Sequence, residues 1–367
     1  MAALSDIARR RLNHQRLLTP LGNDPAEVVH FLGAVQSQDY AGAKWALGMR
    51  TRGVTDADVE RAFAEGAILR THVMRPTWHF VTPADIRWML ALTAPRVKAG
   101  MAYYDRKLEL DDAVFQRSNA AIERALRGGK QLTRQELAST LRRARIDVTA
   151  GQRLGHLMLR AELDALICSG ARRGKQFTYA LLEERVPPAR PLGRDEALLE
   201  LTRRYFAARG PATANDFAWW SGLTVGDAKR GIELAGGALQ RETIDDRLYW
   251  SAAAAAVLPK NRSPVAHLLP NYDEYFIGFR DRSAIGQRLD SSQLVTGGDA
   301  LIAHVVIVDG QLVGGWRRLS VRKEATVELR LVTRLSRSER SAIARAAETY
   351  AAFLGVPVKL ELTVAVP

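Results

Sequence analysis

The spacing of apolar residues divides the chain into two parts with different secondary structure. Through most of the first 260 residues apolar positions recur every three to four residues, which predicts amphipathic helices. Capping residues mark several helix starts: Asp24 precedes Pro25, and Thr133 is followed three positions later by Glu136. After about residue 265 the segments "ALIAHVVIVDGQLVGGWRRLSV" and "TVELRLVTRL" alternate with period two, which predicts strands, and Asp309-Gly310 predicts a hairpin turn.

Within the helical part, the order of short helices followed by strand–turn–strand recurs three times. The hairpins are "AILRTHVMRPTWHFVT", "CSGARRGKQFTYALL" and "LQRETIDDRLYWS", and a proline-rich linker is predicted at 183–195. This order is typical of winged helix-turn-helix units. We therefore predict an α+β fold in which three tandem winged-helix units, at 1–110, 111–185 and 192–262, pack on a C-terminal antiparallel β-barrel or sheet with one helix, at 263–367.

The charge of the chain indicates a polyanionic partner. Fifty-three Lys and Arg residues stand against 40 Asp and Glu, a formal net charge of +13. Double-stranded DNA is the first partner that such an excess predicts, and an anionic membrane surface is the second. An arginine-rich bias of the whole proteome would give the same numbers, so charge alone leaves both explanations open.

The single cysteine, Cys168, lies at the end of a predicted apolar helix and excludes an internal disulfide or a Cys-based zinc cluster. No residue pattern suggests another metal or a cofactor. The N-terminal residues lack the apolar core of a signal peptide, and the longest apolar run, at 251–259, is shorter than the roughly 20 residues that span a bilayer. We expect a monomer in the cytoplasm, associated with the nucleoid and not with a membrane.

The stretch "AVQSQDYAGAKW" carries the first candidate chemistry, since it contains Gln36 and Gln38. Residues two apart on a helix are turned about 200° from each other, so these side chains converge only if the helix ends between them. Ser37, Asp39 and Gly42 favour such an end. The alternative is that the glutamines only solvate a helix terminus.

Other residues are candidates for auxiliary or DNA-binding roles. Asp39 is expected to cap the following helix, with an auxiliary catalytic role as the alternative. His72 is a second possible auxiliary residue, although a histidine in a strand is more often a packing residue. The carboxylates and arginines of "DEYFIGFRDRS" (residues 273–283) are predicted to form buried ion pairs or, alternatively, to contact DNA. The candidate DNA contacts are Arg70, Arg75, Arg172, Arg173, Lys175, Arg317 and Arg318.

Four segments, in order along nearly the whole chain, resemble the AlkZ/YcaQ family of bacterial winged-helix DNA glycosylases. They are "HFLGAVQSQDYAGAKWALGMR", "ILRTHVMRPTWHFVTPADIRWML", "LLPNYDEYFIGFRDRS" and "GGWRR". The resemblance implies a concave DNA channel, excision of N7-alkylated purines and, in some members, unhooking of interstrand crosslinks. The family carries a catalytic Gln-x-Gln or Gln-x-Asp motif. Gln36-Ser37-Gln38 matches the first form, which is similar to the branch that confers azinomycin self-resistance.

The resemblance and the chemistry of glutamine agree on a mechanism. An N7-alkylated purine is already cationic and leaves readily, so the enzyme must place a water and stabilise the developing sugar cation, and it needs no strong base. We therefore predict a monofunctional DNA glycosylase with catalytic Gln36 and Gln38. Two alternatives remain at this point. The first is a non-catalytic DNA-binding regulator, for which three winged-helix units would serve equally well, and the second is a protein that sequesters the antibiotic itself.

Overall fold

The computed structural model describes residues 4–253, 263–289, 304–321 and 324–364. The chain forms two compact units. Unit 1 comprises Met1–Glu60, Leu199–Trp220 and Val225–Pro367, and unit 2 comprises Arg61–Leu198 and Ser221–Thr224. The apolar run at 251–259 lies mostly outside the described residues, and the four-part division predicted from the sequence stays a prediction. No helix in the described part of the chain has the length and hydropathy to cross a membrane.

Helices account for most of the regular structure within the described residues. In chain order they are α1 (Leu4–His14), α2 (Pro25–Leu32), α3 (Tyr40–Gly48), α4 (Asp56–Glu65), α5 (Pro83–Lys107), α6 (Asp112–Leu126), α7 (Arg134–Arg143), α8 (Arg153–Leu163), α9 (Leu182–Arg185), α10 (Arg194–Arg209), α11 (Ala214–Ser221), α12 (Val225–Ala235), α13 (Glu274–Ile277) and α14 (Arg337–Leu354). Asp24 caps α2 ahead of Pro25, and Thr133 forms a capping box with Glu136 on α7, as predicted.

The strands are short in the helical part and longer near the C-terminus. They are β1 (Val35–Gln36), β2 (Leu69–His72), β3 (Trp78–Val81), β4 (Leu132–Thr133), β5 (Ile167–Ser169), β6 (Thr178–Leu181), β7 (Leu239–Ile244), β8 (Arg247–Ala252), β9 (Ala266–Leu269), β10 (Val305–Val308), β11 (Gln311–Val321), β12 (Ala325–Leu331) and β13 (Val358–Val364).

Unit 1 contains a five-stranded sheet of order β13-β12-β11-β10-β9. Val308 pairs with Gln311 across the Asp309-Gly310 turn, so the predicted hairpin is confirmed. The prediction of an antiparallel sheet is wrong at one edge, where β12 and β13 run parallel. The reason is the connection: α14 carries the chain from the end of β12 back to the start of β13, and such a helical crossover joins parallel strands.

Helix α14 also packs on α3, the helix that follows the two glutamines. The Trp45 ring of α3 lies 4.8 Å from Tyr350 and 5.2 Å from Phe353 of α14. A Cβ atom on Gly48 would come within 2.5 Å of the Phe353 ring, so only glycine permits this close approach. The packing therefore holds α3 against the C-terminal helix and sheet.

Unit 2 contains the predicted hairpin of β2 and β3, in which His72 pairs with Trp78 across the Met74–Pro76 turn. It also contains the run α6-β4-α7-α8-β5-β6, whose strands form a sheet of order β4-β6-β5. The apolar residues of this run share one core, which includes Leu126, Leu137, Leu141, Leu157 and Ile167.

Cys168 lies in β5, so its predicted position at a helix end is wrong. The short apolar stretch around it pairs with β6. The side chain is buried, as expected for a small core residue, and burial raises the pKa of the thiol to about 12. A thiol of this kind is not a nucleophile at neutral pH.

Candidate functional site

Gln36 and Gln38 lie in the non-helical segment that joins α2 to α3. We predicted that a helix ends between the two glutamines, and this is wrong, because α2 already ends at Leu32 and Gly33 follows with φ of 81°. The backbone at Gln36 is extended, and α3 begins at Tyr40. In extended backbone, side chains two residues apart point to the same side. The two glutamine side chains can therefore converge on one ligand without a helix end between them.

The two glutamines differ in exposure. Gln36 is 6% exposed and Ser37 between them is fully buried, whereas Gln38 is exposed. The Gln36 backbone N–H donates to Glu274 Oε1 at 2.9 Å. One glutamine is therefore anchored in the interior of unit 1, and the other lies at its surface.

Glu274 is the centre of a buried ionic network. Its Oε2 accepts from Arg209 at 2.6 Å and from the Trp220 indole at 2.8 Å, and neither charged side chain of the pair is exposed. Arg209 also donates to the carbonyl oxygens of Leu32 and Ala34, at 2.7 and 3.3 Å. These carbonyls belong to the end of α2 and the residues after it, where helix geometry supplies no partner. Arg209 and Glu274 thus fix both sides of the turn that leads to Gln36.

A second buried pair lies beside the first. Arg50 donates to both carboxylate oxygens of Asp273, at 2.8 and 2.9 Å, and to the side-chain oxygen of Gln15 at 2.8 Å. The predicted buried ion pairs of the 273–283 stretch are therefore confirmed for Asp273 and Glu274. Asp281 instead pairs with Arg247 near the surface.

Asp39 is the N-cap of α3, as predicted. Its Oδ1 accepts from the Gly42 N–H at 3.1 Å. A Cβ on Gly42 would lie 2.6 Å from Asp39 Oδ2 and 3.0 Å from Pro270 Cβ, so glycine is required for both close contacts. An additional catalytic role for Asp39 stays a prediction.

Lys44 is the first lysine in the sequence after the motif, and it is buried. Its ammonium donates to Asp56 at 2.8 Å and to Glu60 at 2.9 Å. An ammonium that donates in this way has no lone pair with which to attack a sugar carbon. The arrangement of Lys44 therefore suits hydrolysis by water better than formation of a covalent amine intermediate.

The candidate residues Arg70 and His72 lie in unit 2, on the same side of β2. The Arg70 guanidinium is 4.2 Å from the Trp78 ring centroid and 4.5 Å from that of Phe177, and the His72 ring is 4.5 Å from Trp78. His72 Nδ1 also bonds to the buried carboxylate of Glu162. These contacts favour the packing interpretation of His72, and they make Arg70 part of a stack of cations and rings.

Four more candidates lie at the loops of unit 2. Arg172 extends the stack, 5.2 Å from the Phe177 ring. Arg173 donates to both oxygens of Glu136 at 3.0 Å, which holds the pKa of that carboxyl down at about 2. Lys175 is exposed at the tip of the β5–β6 hairpin, and Arg75 is half-buried in the β2–β3 turn.

Arg317 and Arg318 are neighbours on β11 but face opposite sides of the sheet, because side chains alternate along a strand. Arg317 donates to Glu328 on β12 at 2.6 Å, while Arg318 donates to the Tyr350 hydroxyl at 3.0 Å. Both are exposed. The two candidate DNA contacts therefore lie on different faces of the sheet, and their roles stay predictions.

Two residues that shape the site, Arg50 and Arg209, were missed in the sequence. Both bind carboxylates far along the chain, Asp273 and Glu274, and no local sequence pattern predicts such a contact. In the part of the chain that the structure describes, no three His, Cys, Asp or Glu side chains are grouped so as to hold a metal ion.

Comparison with known proteins places the chain in a family. Residues 29–353 match the model of a family described as DNA glycosylase AlkZ-like. The interstrand DNA cross-link repair glycosylase of Streptomyces sahachiroi is 24% identical over 323 residues, which cover 83% of this chain and 85% of that protein. The solved structure of Streptomyces sahachiroi DNA glycosylase AlkZ superposes with a TM-score of 0.79 at 22% identity, covering 98% of this chain and all of the other, and so shows a shared fold.

Proposed function

Since this chain belongs to the AlkZ-like DNA glycosylase family, we propose that it hydrolyses the N-glycosidic bond of N7-alkylated purines in duplex DNA. Gln36 and Gln38 position the attacking water. The observation that carries the proposal is the pair itself, two amides in one non-helical segment, the first anchored by Glu274 and the second exposed.

The mechanism follows from what an amide can do. Each glutamine side chain accepts through its oxygen and donates through its NH2 group, so the pair can hold one water and orient its lone pair. Neither amide takes up a proton strongly. The lesion compensates for this, because an N7-alkylpurine carries positive charge and departs before the water must lose its proton. The site is therefore restricted to cationic bases that leave easily.

Interstrand crosslinks are the second proposed substrate. The relative from Streptomyces sahachiroi is named for interstrand cross-link repair. A crosslinked base cannot be extruded into a tight pocket, as most glycosylases require. An exposed Gln38 suits a reaction in which the lesion stays within the duplex.

DNA binding is proposed to use winged-helix units and the basic side chains around them, with the protein acting as a monomer on chromosomal DNA. The order α6-β4-α7-α8-β5-β6 and the strand order β4-β6-β5 support a winged helix in unit 2. The net charge of +13 supports a phosphate-rich partner. Lys175, exposed at the tip of the β5–β6 hairpin, is the best-placed contact of this unit, since Arg173 already bonds to Glu136.

The test is release of free base by the wild-type protein from duplexes that carry 7-methylguanine, or an N7-linked interstrand crosslink, or no lesion. We expect single-turnover release from the first two and none from the third, with an abasic site as product. Affinity for each duplex is measured on the same samples. Tight binding to all three without release from any would contradict the proposal and favour a DNA-binding regulator.

A further inference from the structure

Five residues, Pro270–Glu274, contact the chain at Gln36 and again at Gly42, on either side of Gln38. We call them the cradle segment. At its C-terminal end, Glu274 accepts from the Gln36 backbone N–H. At its N-terminal end, Pro270 lies so close to Gly42 that a Cβ there would be 3.0 Å from the Pro270 Cβ. Displacing the cradle segment would therefore move the motif.

The ionic pairs described above fix the Glu274 end, and a histidine fixes the other. The Asn271 N–H donates to His304 Nδ1 at 2.8 Å. The His304 ring lies 4.8 Å from the Trp316 ring, and the Trp316 indole N–H donates to the carbonyl of Leu269 at 2.8 Å. His304 and Trp316 thus hold the backbone on either side of Pro270.

The bond from Asn271 determines the form of the imidazole. A backbone N–H can only donate, so His304 Nδ1 must accept, and the ring proton is on Nε2. An imidazolium would turn an N–H toward another N–H. Burial lowers the pKa of His304 and the charge of Arg318 on β11 lowers it further, while Asp39 at the start of α3 opposes them. The accepting, neutral form therefore prevails at pH 7.

We propose that His304 is a positioning residue of the glycosylase site: by holding Asn271 it keeps the cradle segment against α3 and so fixes Gln38 and Asp39. This inference rests on the proposed function. His304 acts through the backbone of Asn271, and we assign it no contact with the reacting atoms.

Two substitutions distinguish the loss of the hydrogen-bond acceptor at position 304 from the loss of the imidazole ring. His304→Leu removes the acceptor, whereas His304→Asn places an amide oxygen where Nδ1 lies. We expect His304→Leu to slow single-turnover release of 7-methylguanine roughly tenfold to a hundredfold, the cost of a small misplacement of catalytic groups. DNA affinity should stay within about twofold, because the proposal assigns His304 no DNA contact. His304→Asn should restore the rate to within about threefold of wild type.

A pH profile distinguishes positioning from mere structural support. As pH falls below the ordinary histidine range, His304 becomes protonated, loses its acceptor and should release the cradle segment. The wild-type rate should therefore fall on the acid side, and the rate of His304→Asn should not fall with it. This comparison of wild type with His304→Asn also tests the positioning role if His304→Leu fails to fold.

Each outcome has a distinct meaning. A wild-type rate in folded His304→Leu, or the same acid limb in wild type and His304→Asn, would overturn the inference while the proposed function stands. Wild-type protein that releases no base would overturn the proposed function, and the inference with it.

Discussion

At the residue scale, the site depends on which partner each polar group already has. The Glu274 carboxylate accepts hydrogen bonds from a backbone N–H, an indole and a guanidinium, all within unit 1. Removing the charge leaves Arg209 buried without a counter-ion. That situation is among the most destabilising that a single substitution creates.

We therefore expect Glu274→Gln to lower the free energy of unfolding by about 3–5 kcal/mol in urea titrations. The matched control is Glu242→Gln, which breaks the half-exposed pair of Glu242 with Arg10 on α1. It should cost less than about 1 kcal/mol. Equal losses in the two variants would contradict the assignment of Glu274 as the buried anchor of the motif.

Gln38→Asp would test the argument about the substrate. A carboxylate at this exposed position can take the proton of the attacking water, which a glutamine cannot. We expect the variant to gain release of a neutral base, such as ethenoadenine, by about tenfold over the wild type. The rate for cationic 7-methylguanine should change by less than about threefold. A variant that gains nothing on the neutral base would show that water activation does not limit the range of lesions.

At the element scale, the first turn of α3 depends on Gly42 for its contacts. Gly42→Ala would improve helix propensity, but its Cβ would collide with the Asp39 carboxylate and with Pro270. The collision should outweigh the propensity gain, so we expect a net destabilisation of about 1–3 kcal/mol by thermal unfolding, with slower base release.

Gly100→Ala on α5 is the matched control, since a Cβ there meets nothing within 4 Å. It should stabilise the protein by about 0.5–1 kcal/mol through helix propensity alone. A stabilised Gly42→Ala variant with the wild-type rate would show that the close approach of Asp39 and Pro270 is dispensable.

The elements that were predicted well are those determined by nearby residues. The caps at Asp24 and Thr133 and the Asp309-Gly310 turn depend on side chains within four positions. The end of α2 was predicted too late in the chain, because the apolar spacing continues through Val35. In the structure Gly33 terminates the helix. The parallel pairing of β12 and β13 was missed because alternation predicts a strand and not its direction.

At the scale of the whole molecule, the contacts that make the site join residues far apart in the chain. Gln36 and Glu274 are 238 positions apart, and Arg50 and Asp273 are 223 apart. The sequence identified the glutamines and the 273–283 stretch separately, from their side-chain chemistry and from the family resemblance. It could not show that one holds the other, because this depends on how the sheet and helices of unit 1 pack.

Two buried histidines of unit 1 should make the stability of the protein depend on pH. Burial lowers the pKa of His14 and of His267 to about 4, from an ordinary value of 6.5. Between these values the unfolded chain binds more protons than the folded one, so the free energy of unfolding decreases as pH falls from 6.5 to 4. Each histidine contributes at most about 3 kcal/mol to this loss.

Urea titrations at pH 7.5, 6.0 and 4.5 measure this dependence. His267→Gln keeps a side-chain amide that can donate to Leu17, as the imidazole does, and it should remove about half of the slope between pH 6.5 and 4. His30→Gln, at an exposed position, should leave the slope unchanged. A wild-type slope in His267→Gln would show that other groups cause the acid loss.

The central claim is that two amides, which position the attacking water, suffice for hydrolysis because a cationic lesion departs without a catalytic base. The most direct test compares single-turnover release of 7-methylguanine by wild type, Gln36→Ala and Gln38→Ala, with Gln116→Ala on the exposed face of α6 as control. We predict losses of about a hundredfold or more in the two motif variants, with DNA affinity and melting temperature close to wild type and no change in the control. Wild-type rates in both motif variants would contradict the claim and leave the glutamines as polar residues of the segment that joins α2 to α3.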